Sequence, residues 1–430
     1  MYLLYNLLLM IAAVFLVPYY LLRGVRYGKS RRGIRERLGR LSEEQLGWFE
    51  GEKVIWVHAV SVGETRAASP LLKQLRKKYP EYKILLTNVT ETGRAVAKKL
   101  SDVDFCLFFP FDFSWAVRRV LQHVNPEMIV IVETEIWPNF VRQANLLDIP
   151  LVLVNGRLSD RSYPRYRFFR PLLRPLLDCF SAFCMQSQVD AERICQLGAE
   201  NLRVENTGNL KFDHELKEIN DIELAKLKQK FCLPENLPIL VAGSTHAGEE
   251  KQLIELYRSL LDEGRQLLLV LIPRHPVRCR EVQGLLNDQG YSSRLRSNLQ
   301  ENTQLFESGE VLVVDTLGEV LDLYAISDLV FVGGSLVPVG GHNMLEASLL
   351  GKAALFGPHI NNFREISAKL VRAGAGVKVS NLQELKRQMS LMLDDPIRCR
   401  AMGQAGRSLI AENAGATART MVRIARYVKG

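Results

Sequence analysis

The carboxylate of Glu64 lies at a predicted junction between a strand and a helix, in the sequence His58-Ala59-Val60-Ser61-Val62-Gly63-Glu64-Thr65. The apolar run from Val54 to Val60 predicts a buried strand, and residues 65–78 have the spacing of an amphipathic helix. In open parallel sheets, ligands bind beyond the carboxyl ends of the strands, where Glu64 would lie. Glu64 is therefore a candidate proton acceptor, which the helix dipole would keep ionised and which burial would protonate. The alternative is that Glu64 only complements the helix dipole.

Glycines mark a second candidate site in the second half of the chain. Phe331-Val332-Gly333-Gly334-Ser335 ends a predicted strand, and Gly340-Gly341-His342-Asn343 opens a predicted helix that continues through Glu346. Glycines let backbone amides approach a phosphate, and a helix N-terminus stabilises its charge. Glu346, one turn into the helix, is placed to accept hydrogen bonds from ribose hydroxyls. The sequence thus predicts a nucleotide site; the alternative is a glycine turn with Asn343 and Glu346 as helix caps.

Three further predicted strand ends in the second half carry polar residues: Ser244-Thr245-His246, Pro273-Arg274-His275-Pro276 and Asp315-Thr316-Leu317-Gly318-Glu319. An arginine such as Arg274 can pair with a phosphate through its planar guanidinium group. Thr316 and Glu319 are spaced as a capping box. Capping explains each cluster alone, but their convergence on one sheet edge favours ligand binding. No GxxxxGK[ST] or GxGxxG motif occurs in the sequence, which argues against a P-loop or a dinucleotide site.

An acidic pair, Glu133-Thr134-Glu135, ends a predicted strand in the first half and precedes Trp137-Pro138. Two carboxylates raise the question of a metal, but no third ligand lies nearby in the sequence. We therefore predict neither a metal nor a cofactor. Basic side chains would then neutralise a leaving phosphate, and Lys211, at the predicted break between domains, is a candidate.

Strand-like runs alternate with helical patterns along both halves, which predicts βαβ units and parallel sheets with helices on both faces. The pattern breaks near residues 207–213, and a charge-rich helix is predicted at 221–230. Because 430 residues are too many for one ordinary core, we predict an α/β fold with domains at 23–208 and 236–430, joined by a linker at 209–235. The two domains would face each other across a cleft. The last helices, from about residue 396 to 427, could pack on either domain.

The N-terminal residues 1–22 carry no charge, and their length suits a single membrane-spanning helix, for which about 20 apolar residues suffice. A signal peptide is disfavoured because no basic residue precedes the apolar run and no small-residue cleavage site follows it. Eight lysines and arginines lie in residues 23–40, with Glu36, interpreted as a surface charge, the only acid. The positive-inside rule predicts that this flank and the rest of the chain lie in the cytoplasm, near anionic lipid headgroups.

The bulk composition is that of a globular protein, with 47% apolar and 24% charged residues. A net charge of +9 favours an anionic partner: nucleic acid, a membrane surface or a phosphorylated substrate. The seven cysteines show no CxxC pair and are predicted to be free thiols of a reducing compartment.

Together these motifs resemble those of the 3-deoxy-D-manno-octulosonic acid (Kdo) transferases of Gram-negative bacteria, which are GT-B glycosyltransferases with two Rossmann-like domains. The resemblance covers essentially the whole chain. Its motifs occur in the family's order: the uncharged N-terminal segment, Ser61 to Glu64, Glu133 to Asn139, Asn155 to Ser159, Gly208 to Phe212, Pro273 to His275, and Gly333 to Glu346.

The resemblance implies transfer of Kdo from CMP-Kdo to the tetraacylated, bisphosphorylated lipid A precursor, as a step of lipopolysaccharide biosynthesis at the inner membrane. It implies an inverting displacement without a metal, with Glu64 as general base and with Glu133 and Lys211 supporting the transition state. The implied CMP contacts are Pro273, Arg274, Leu317, Gly318, Glu319, Asn343, Met344, Leu345 and Glu346. The implied partners are the donor, the lipid acceptor and anionic lipids, and not nucleic acid.

Two alternative functions remain open at this point. A nucleotide-sugar epimerase could have the same fold, and a membrane-tethered protein could bind a nucleotide without catalysis. The number of Kdo residues transferred, the acylation and phosphorylation that the acceptor needs, and the oligomeric state do not follow from the sequence.

Overall fold

The computed structural model describes residues 2, 5–14, 33–160, 162–213, 219–300 and 303–428. The chain divides into two compact units, Met1–Asp213 with Asn413–Gly430, and His214–Glu412. Each unit is built on a parallel sheet of seven strands, as the alternation of strand-like and helical patterns predicted.

The first sheet has the strand order β3-β2-β1-β4-β5-β6-β7. Its strands are β1 Val54–His58, β2 Lys83–Asn88, β3 Phe105–Phe108, β4 Met128–Val132, β5 Leu151–Gly156, β6 Ala182–Met185 and β7 Val204–Asn206. The central strands β1 and β4 are buried along their whole length, which explains their continuous apolar runs. The strand order reverses between β1 and β4, so the carboxyl ends of these two strands border the crevice where such sheets bind ligands.

Helices cover both faces of the first sheet. They are α1 Ile34–Arg37, α2 Glu43–Gly47, α3 Val62–Lys78, α4 Glu91–Ala97, α5 Ser114–Val124, α6 Pro138–Leu146, α7 Tyr163–Phe168, α8 Arg170–Leu177 and α9 Gln188–Leu197. Amphipathic helices such as α5 turn their apolar side chains to the sheet, and these side chains fill the core.

The second sheet has the order β10-β11-β9-β8-β12-β13-β14, which reverses between β8 and β12. Its strands are β8 Ile239–Thr245, β9 Leu268–Pro273, β10 Ser293–Leu295, β11 Val311–Val313, β12 Leu329–Val332, β13 Ala354–Phe356 and β14 Gly376–Lys378. Its helices are α10 Asp221–Lys230, α11 Glu249–Asp262, α12 Cys279–Asp288, α13 Val320–Ile326, α14 Leu345–Leu349, α15 Arg364–Arg372, α16 Leu382–Asp394 and α17 Pro396–Asn413. Helix α10, predicted as part of a linker, belongs to this unit.

The last helix, α18 Ala416–Ile424, belongs to the first unit. The Asp213 carboxylate accepts hydrogen bonds from three amides at its N-terminus, including that of Gly415 at 2.7 Å. Its apolar side chains, among them Met421 and Ile424, join the core of the first sheet. This corrects the predicted boundary, which placed all of 236–430 in the second domain.

Part of the predicted membrane anchor can be compared with the structure. Residues 5–14 are helical, whereas residues 15–32, which contain the end of the predicted anchor and much of the basic flank, lie outside the described residues. In the part of the chain that the structure describes, we find no helix with the length and apolar character needed to cross a membrane.

The interpretation of Glu36 as a surface charge was wrong. Its side chain is buried, pairs with Arg94 at 2.9 Å and accepts a hydrogen bond from the Phe108 amide. The carboxylate thereby ties α1 to β3.

Candidate functional site

Glu64 is held by its own loop in the first turn of α3. The Ser61 hydroxyl caps the helix by accepting a hydrogen bond from the Glu64 amide at 3.4 Å, and it donates one to Glu64 Oε1 at 2.9 Å. The Val60 amide donates to Glu64 Oε2 at 2.6 Å. Because the loop leaves β1 at the point where the strand order reverses, these bonds fix the carboxylate at the predicted ligand crevice.

The pKa of the Glu64 carboxyl group lies near neutral pH. Burial raises the pKa of Glu64 to about 7, and the negative charges of Glu133 and Glu135 act in the same direction, against the hydrogen bonds from Val60 and Ser61. Burial thus outweighs the stabilising effect expected from the helix N-terminus. A carboxyl group with a pKa near the working pH is suited to general base catalysis.

Glu133 and Lys211, the other two predicted catalytic residues, form an ion pair. Glu133 follows β4 with a left-handed φ of 60°, and its Oε1 lies 3.3 Å from Lys211 Nζ. The first unit therefore brings the three residues together: Glu133 pairs with Lys211, and its charge acts on Glu64. A left-handed backbone at a non-glycine residue is uncommon and clusters at functional sites.

A buried amide network places Lys211. The residue lies in the 3₁₀ turn Leu210–Phe212, and the Leu210 amide donates to Asn155 Oδ1 at 3.0 Å. Gln186 donates to the Asn155 carbonyl at 2.8 Å and accepts from the Asn209 side chain at 3.0 Å. The network connects the ends of β5 and β6 to the turn, and Gln186 carried no signal in the sequence that would have marked it.

A third carboxyl group, that of Glu135, lies near the ion pair of Glu133 and Lys211. Burial and then the charge of Glu133 raise the pKa of Glu135 to about 7. Burial and the charge of Glu135 in turn raise the pKa of Tyr166, so α7 borders this acidic cluster. Thr134 between the two acids accepts a hydrogen bond from the Arg157 amide at 3.0 Å, which fixes the segment to the loop after β5.

In the second unit, Glu249 organises the loops after β8 and β12. Its carboxylate is completely buried and accepts four backbone hydrogen bonds. They come from Gly334 at 2.7 Å, Ser335 at 2.8 Å, Leu336 at 2.8 Å and His246 at 3.1 Å. The amides after β12, which the glycine pattern predicted for a phosphate, are thus directed at a carboxylate of the protein. Sequence reasoning missed Glu249.

Three histidine side chains lie close together near the loop after β12. His246 Nε2 lies 2.8 Å from His342 Nε2, and the His275 ring centroid lies 5.9 Å from that of His246. At the short contact one nitrogen donates and the other accepts, so the two rings share a proton. Burial, followed by the charge of Arg274, lowers the pKa of His342 to about 4. The lowered pKa keeps this ring uncharged near neutral pH, and an anion bound beside Arg274 would favour protonation of the ring.

Several predicted CMP contacts adjoin this cluster. Pro273 ends β9, and the Arg274 amide donates to the Thr245 carbonyl at 2.9 Å. Asn343 precedes α14 and accepts from the Leu345 amide at 3.3 Å. Side chains of Met344 and Leu345 are fully buried, so only their backbone is available to a ligand, whereas Glu346 lies in the first turn of α14.

The segment Leu317-Gly318-Glu319, also predicted to contact CMP, lies between β11 and α13. Leu317 is exposed, Gly318 has a φ of 95°, and Glu319 is paired with Lys230 at 3.0 Å and Arg296 at 3.2 Å. Burial alone would raise the pKa of Glu319, but hydrogen bonds from Thr316 and Lys230 and the Arg296 charge bring it below its ordinary value. The carboxylate therefore already has two cationic partners. In the described ranges, no group of three or more His, Cys, Asp or Glu residues could hold a metal ion.

Comparison with known proteins places the chain in a family. A sequence profile of the 3-deoxy-D-manno-octulosonic-acid transferase (Kdo transferase) family matches residues 32–214. A 3-deoxy-D-manno-octulosonic acid transferase of Haemophilus influenzae is 34% identical over 431 residues, which are 99% of this chain and 98% of that protein. The chain belongs to the Kdo transferase family. It is therefore a glycosyltransferase, as the motifs predicted.

Two further matches differ in length or reaction. A bifunctional glycosyltransferase/methyltransferase of Fusobacterium nucleatum is 35% identical over 373 residues, which are 85% of this chain and 57% of that protein. The solved structure of a UDP-GlcNAc 2-epimerase from Neisseria meningitidis, bound to UDP-GlcNAc, has a TM-score of 0.59 over 87% of this chain and all of that one. Its sequence identity of 15% means that this match shows the fold alone.

Proposed function

We propose that this protein transfers Kdo from CMP-Kdo to the tetraacylated, bisphosphorylated lipid A precursor at the cytoplasmic face of the inner membrane. The observation that carries the proposal is the fixed Glu64 carboxyl, with a pKa of about 7, in a member of the Kdo transferase family. The epimerase alternative has support from the fold alone.

The proposed reaction is an inverting displacement without a metal. A hydroxyl oxygen of the acceptor attacks the anomeric carbon of Kdo and its proton passes to Glu64. The bond from that carbon to the phosphate oxygen breaks, and CMP leaves with the electron pair. Lys211, held by Glu133, supplies positive charge to the transition state, while Arg274 and the histidine cluster stabilise the leaving phosphate in the second unit.

An exposed surface on α7 and α8 supports a lipid acceptor. Phe168, Phe169 and Leu172 are 79%, 51% and 46% exposed. Residues 163–177 contain four arginines and no acidic residue. Surfaces that combine aromatic and basic side chains favour the headgroup region of anionic membranes. Tyr166, on the same helix, adjoins Glu135, so this surface leads to the acidic cluster. The N-terminal segment 1–22 would add a single-pass anchor.

Incubation of the purified protein with CMP-Kdo and the acceptor lipid tests the proposal. We expect the mass of the lipid to increase by one or more Kdo residues, with release of CMP. An epimerase would change the nucleotide sugar and leave the lipid mass as it was, and a nucleotide-binding protein would change neither. An acceptor without its phosphates shows in the same assay whether they are required.

The pH dependence of transfer tests the role of Glu64. Only the ionised carboxyl can accept a proton, so kcat/KM is expected to rise with pH through a midpoint near 7. The Glu133 charge raises the pKa of Glu64, so Glu133→Gln should move this midpoint to lower pH, whatever it does to the maximal rate. Glu135→Gln, which removes a weaker influence on Glu64, should move it less. An unchanged midpoint in Glu133→Gln would contradict the assignment.

A further inference from the structure

A cavity of about 300 Å³ lies in the second unit at the amino-terminal edge of its sheet. Gly351 and Lys352 precede β13, and Ala325, at the end of α13, precedes β12. The histidine cluster follows the carboxyl ends of β8 and β9, so it lies at the opposite edge. The cavity is therefore separate from the predicted donor site.

Uncompensated positive charge lines this cavity. Lys352, Arg400 and Arg407 contribute to its wall, and Lys352 Nζ donates to the Ser327 carbonyl at 2.5 Å. Across the residues that the structure describes, neither arginine has an ion pair or a side-chain hydrogen bond; Arg400 is exposed, whereas Arg407 Nε is buried without a partner. A buried guanidinium N–H without an acceptor is costly, which a bound anion would correct.

Burial lowers the pKa of Lys352, and the charge of Asp328 opposes this effect only in part. Asp328 is also engaged elsewhere, because its Oδ2 accepts a hydrogen bond from the Ile239 amide at 2.9 Å. The Lys228 and Arg407 charges add to the repulsion at Lys352. The electrostatic balance around Lys352 thus favours a negative ligand.

The packing of α17 gives the cavity a rigid wall. Arg400, Gln404 and Arg407 are spaced four and three residues apart and share one helix face. Gly351 has a φ of 70°, and a Cβ there would lie 2.8 Å from Arg407 Nε. A Cβ at Gly403 would lie 1.8 Å from the Gly351 carbonyl oxygen, so α17 rests directly on the turn before β13. These contacts place Arg407 without help from a carboxylate.

We propose that this cavity binds the phosphate group of a small phosphate ester. Arginine pairs with phosphate through two parallel hydrogen bonds, and Lys352 adds a point charge. The lining also includes apolar side chains, which suit the organic part of such an ester; they are those of Ile219, Leu224, Ala325 and Leu350. The cavity volume lies at the small end of ligand pockets, which span roughly 300–1,000 Å³.

Calorimetric titration with glycerol 3-phosphate at constant ionic strength tests the site. We expect the wild type to bind, and the double variant Arg400→Gln/Arg407→Gln to lose this binding event by tenfold or more in affinity. Arg398→Gln, an exposed arginine on the same helix, is the matched control and should bind as the wild type does. Arg274→Gln should retain the event, because Arg274 adjoins the histidine cluster.

Any of three results would overturn the proposal. The wild type does not bind the ester, the double variant binds it as tightly as Arg398→Gln does, or only Arg274→Gln loses the binding. Thermal unfolding of the ligand-free variants checks that the double variant is folded; if it is not, each single variant is titrated in its place. Sedimentation with phosphatidylglycerol vesicles distinguishes a lipid headgroup from a free ester. Weaker sedimentation of the double variant than of Arg398→Gln would identify the headgroup as the source.

Discussion

Glu64→Gln is expected to lower kcat for Kdo transfer by about 10²- to 10⁴-fold, the usual contribution of a general base. Glutamine has the same shape and its carbonyl oxygen can still accept the hydrogen bond from the Val60 amide. It cannot take up a proton from an attacking hydroxyl. CMP affinity should stay as in the wild type, since Glu64 lies in the first unit and the predicted CMP contacts lie in the second. Steady-state kinetics and calorimetry with CMP measure the two effects.

Glu91 offers a matched control for this experiment. It occupies the first turn of α4, which follows β2 and is capped by Thr90, so its local setting resembles that of Glu64. Its side chain is exposed, and Glu91→Gln should leave kcat near the wild-type value. If Glu64→Gln transferred Kdo as fast as Glu91→Gln, another group would have to be the base.

Glu249→Gln is expected to lower the free energy of unfolding of the second unit by about 2 to 6 kcal/mol. The carboxylate accepts four amide hydrogen bonds, and the NH₂ group of glutamine cannot accept the two on its side. Each buried N–H left without a partner costs about 1–3 kcal/mol. Burial raises the pKa of Glu249, so loss of the charge offsets part of this cost and favours the lower end of the range.

Chemical denaturation measures this loss, and calorimetry with CMP should show weaker binding because the loop after β12 is no longer fixed. Glu255, exposed on the same helix α11, provides the control, since Glu255→Gln removes the same charge without touching the loop. Equal denaturation midpoints for the two variants would mean that the four hydrogen bonds contribute little.

The fold followed from the sequence wherever segments were long and strongly patterned. The run from Val54 to Val60 predicted β1 to within two residues of its end, because buried parallel strands are continuous apolar runs. Strands such as β7, β10 and β14 are harder to predict, because they have three residues each and lie at sheet edges, where so short a run shows no period. The partner of α18 was also open, since an apolar helix face does not reveal which sheet it covers.

The residues of the candidate site likewise include some that a local sequence pattern predicts and some that it does not. Glu64 could be found because a strand end, a capping serine and an acidic first turn are neighbours in sequence. Glu249 follows β8 in a similar setting, so the same signal could have found it. The contact between His246 and His342 joins residues 96 positions apart, and no local pattern predicts such a pair. The sequence around Glu36, an acid among arginines, does not indicate that its partner is Arg94.

The return of residues 413–430 to the first unit has a consequence for how the chain folds during synthesis. The second unit is an insertion within the first, so it leaves the ribosome complete while the first still lacks α18. Until then the amide groups at the N-terminus of that helix cannot reach Asp213, and the apolar surface that Met421 and Ile424 cover stays open to water. The unit that carries Glu64 therefore matures last, although most of it is made first.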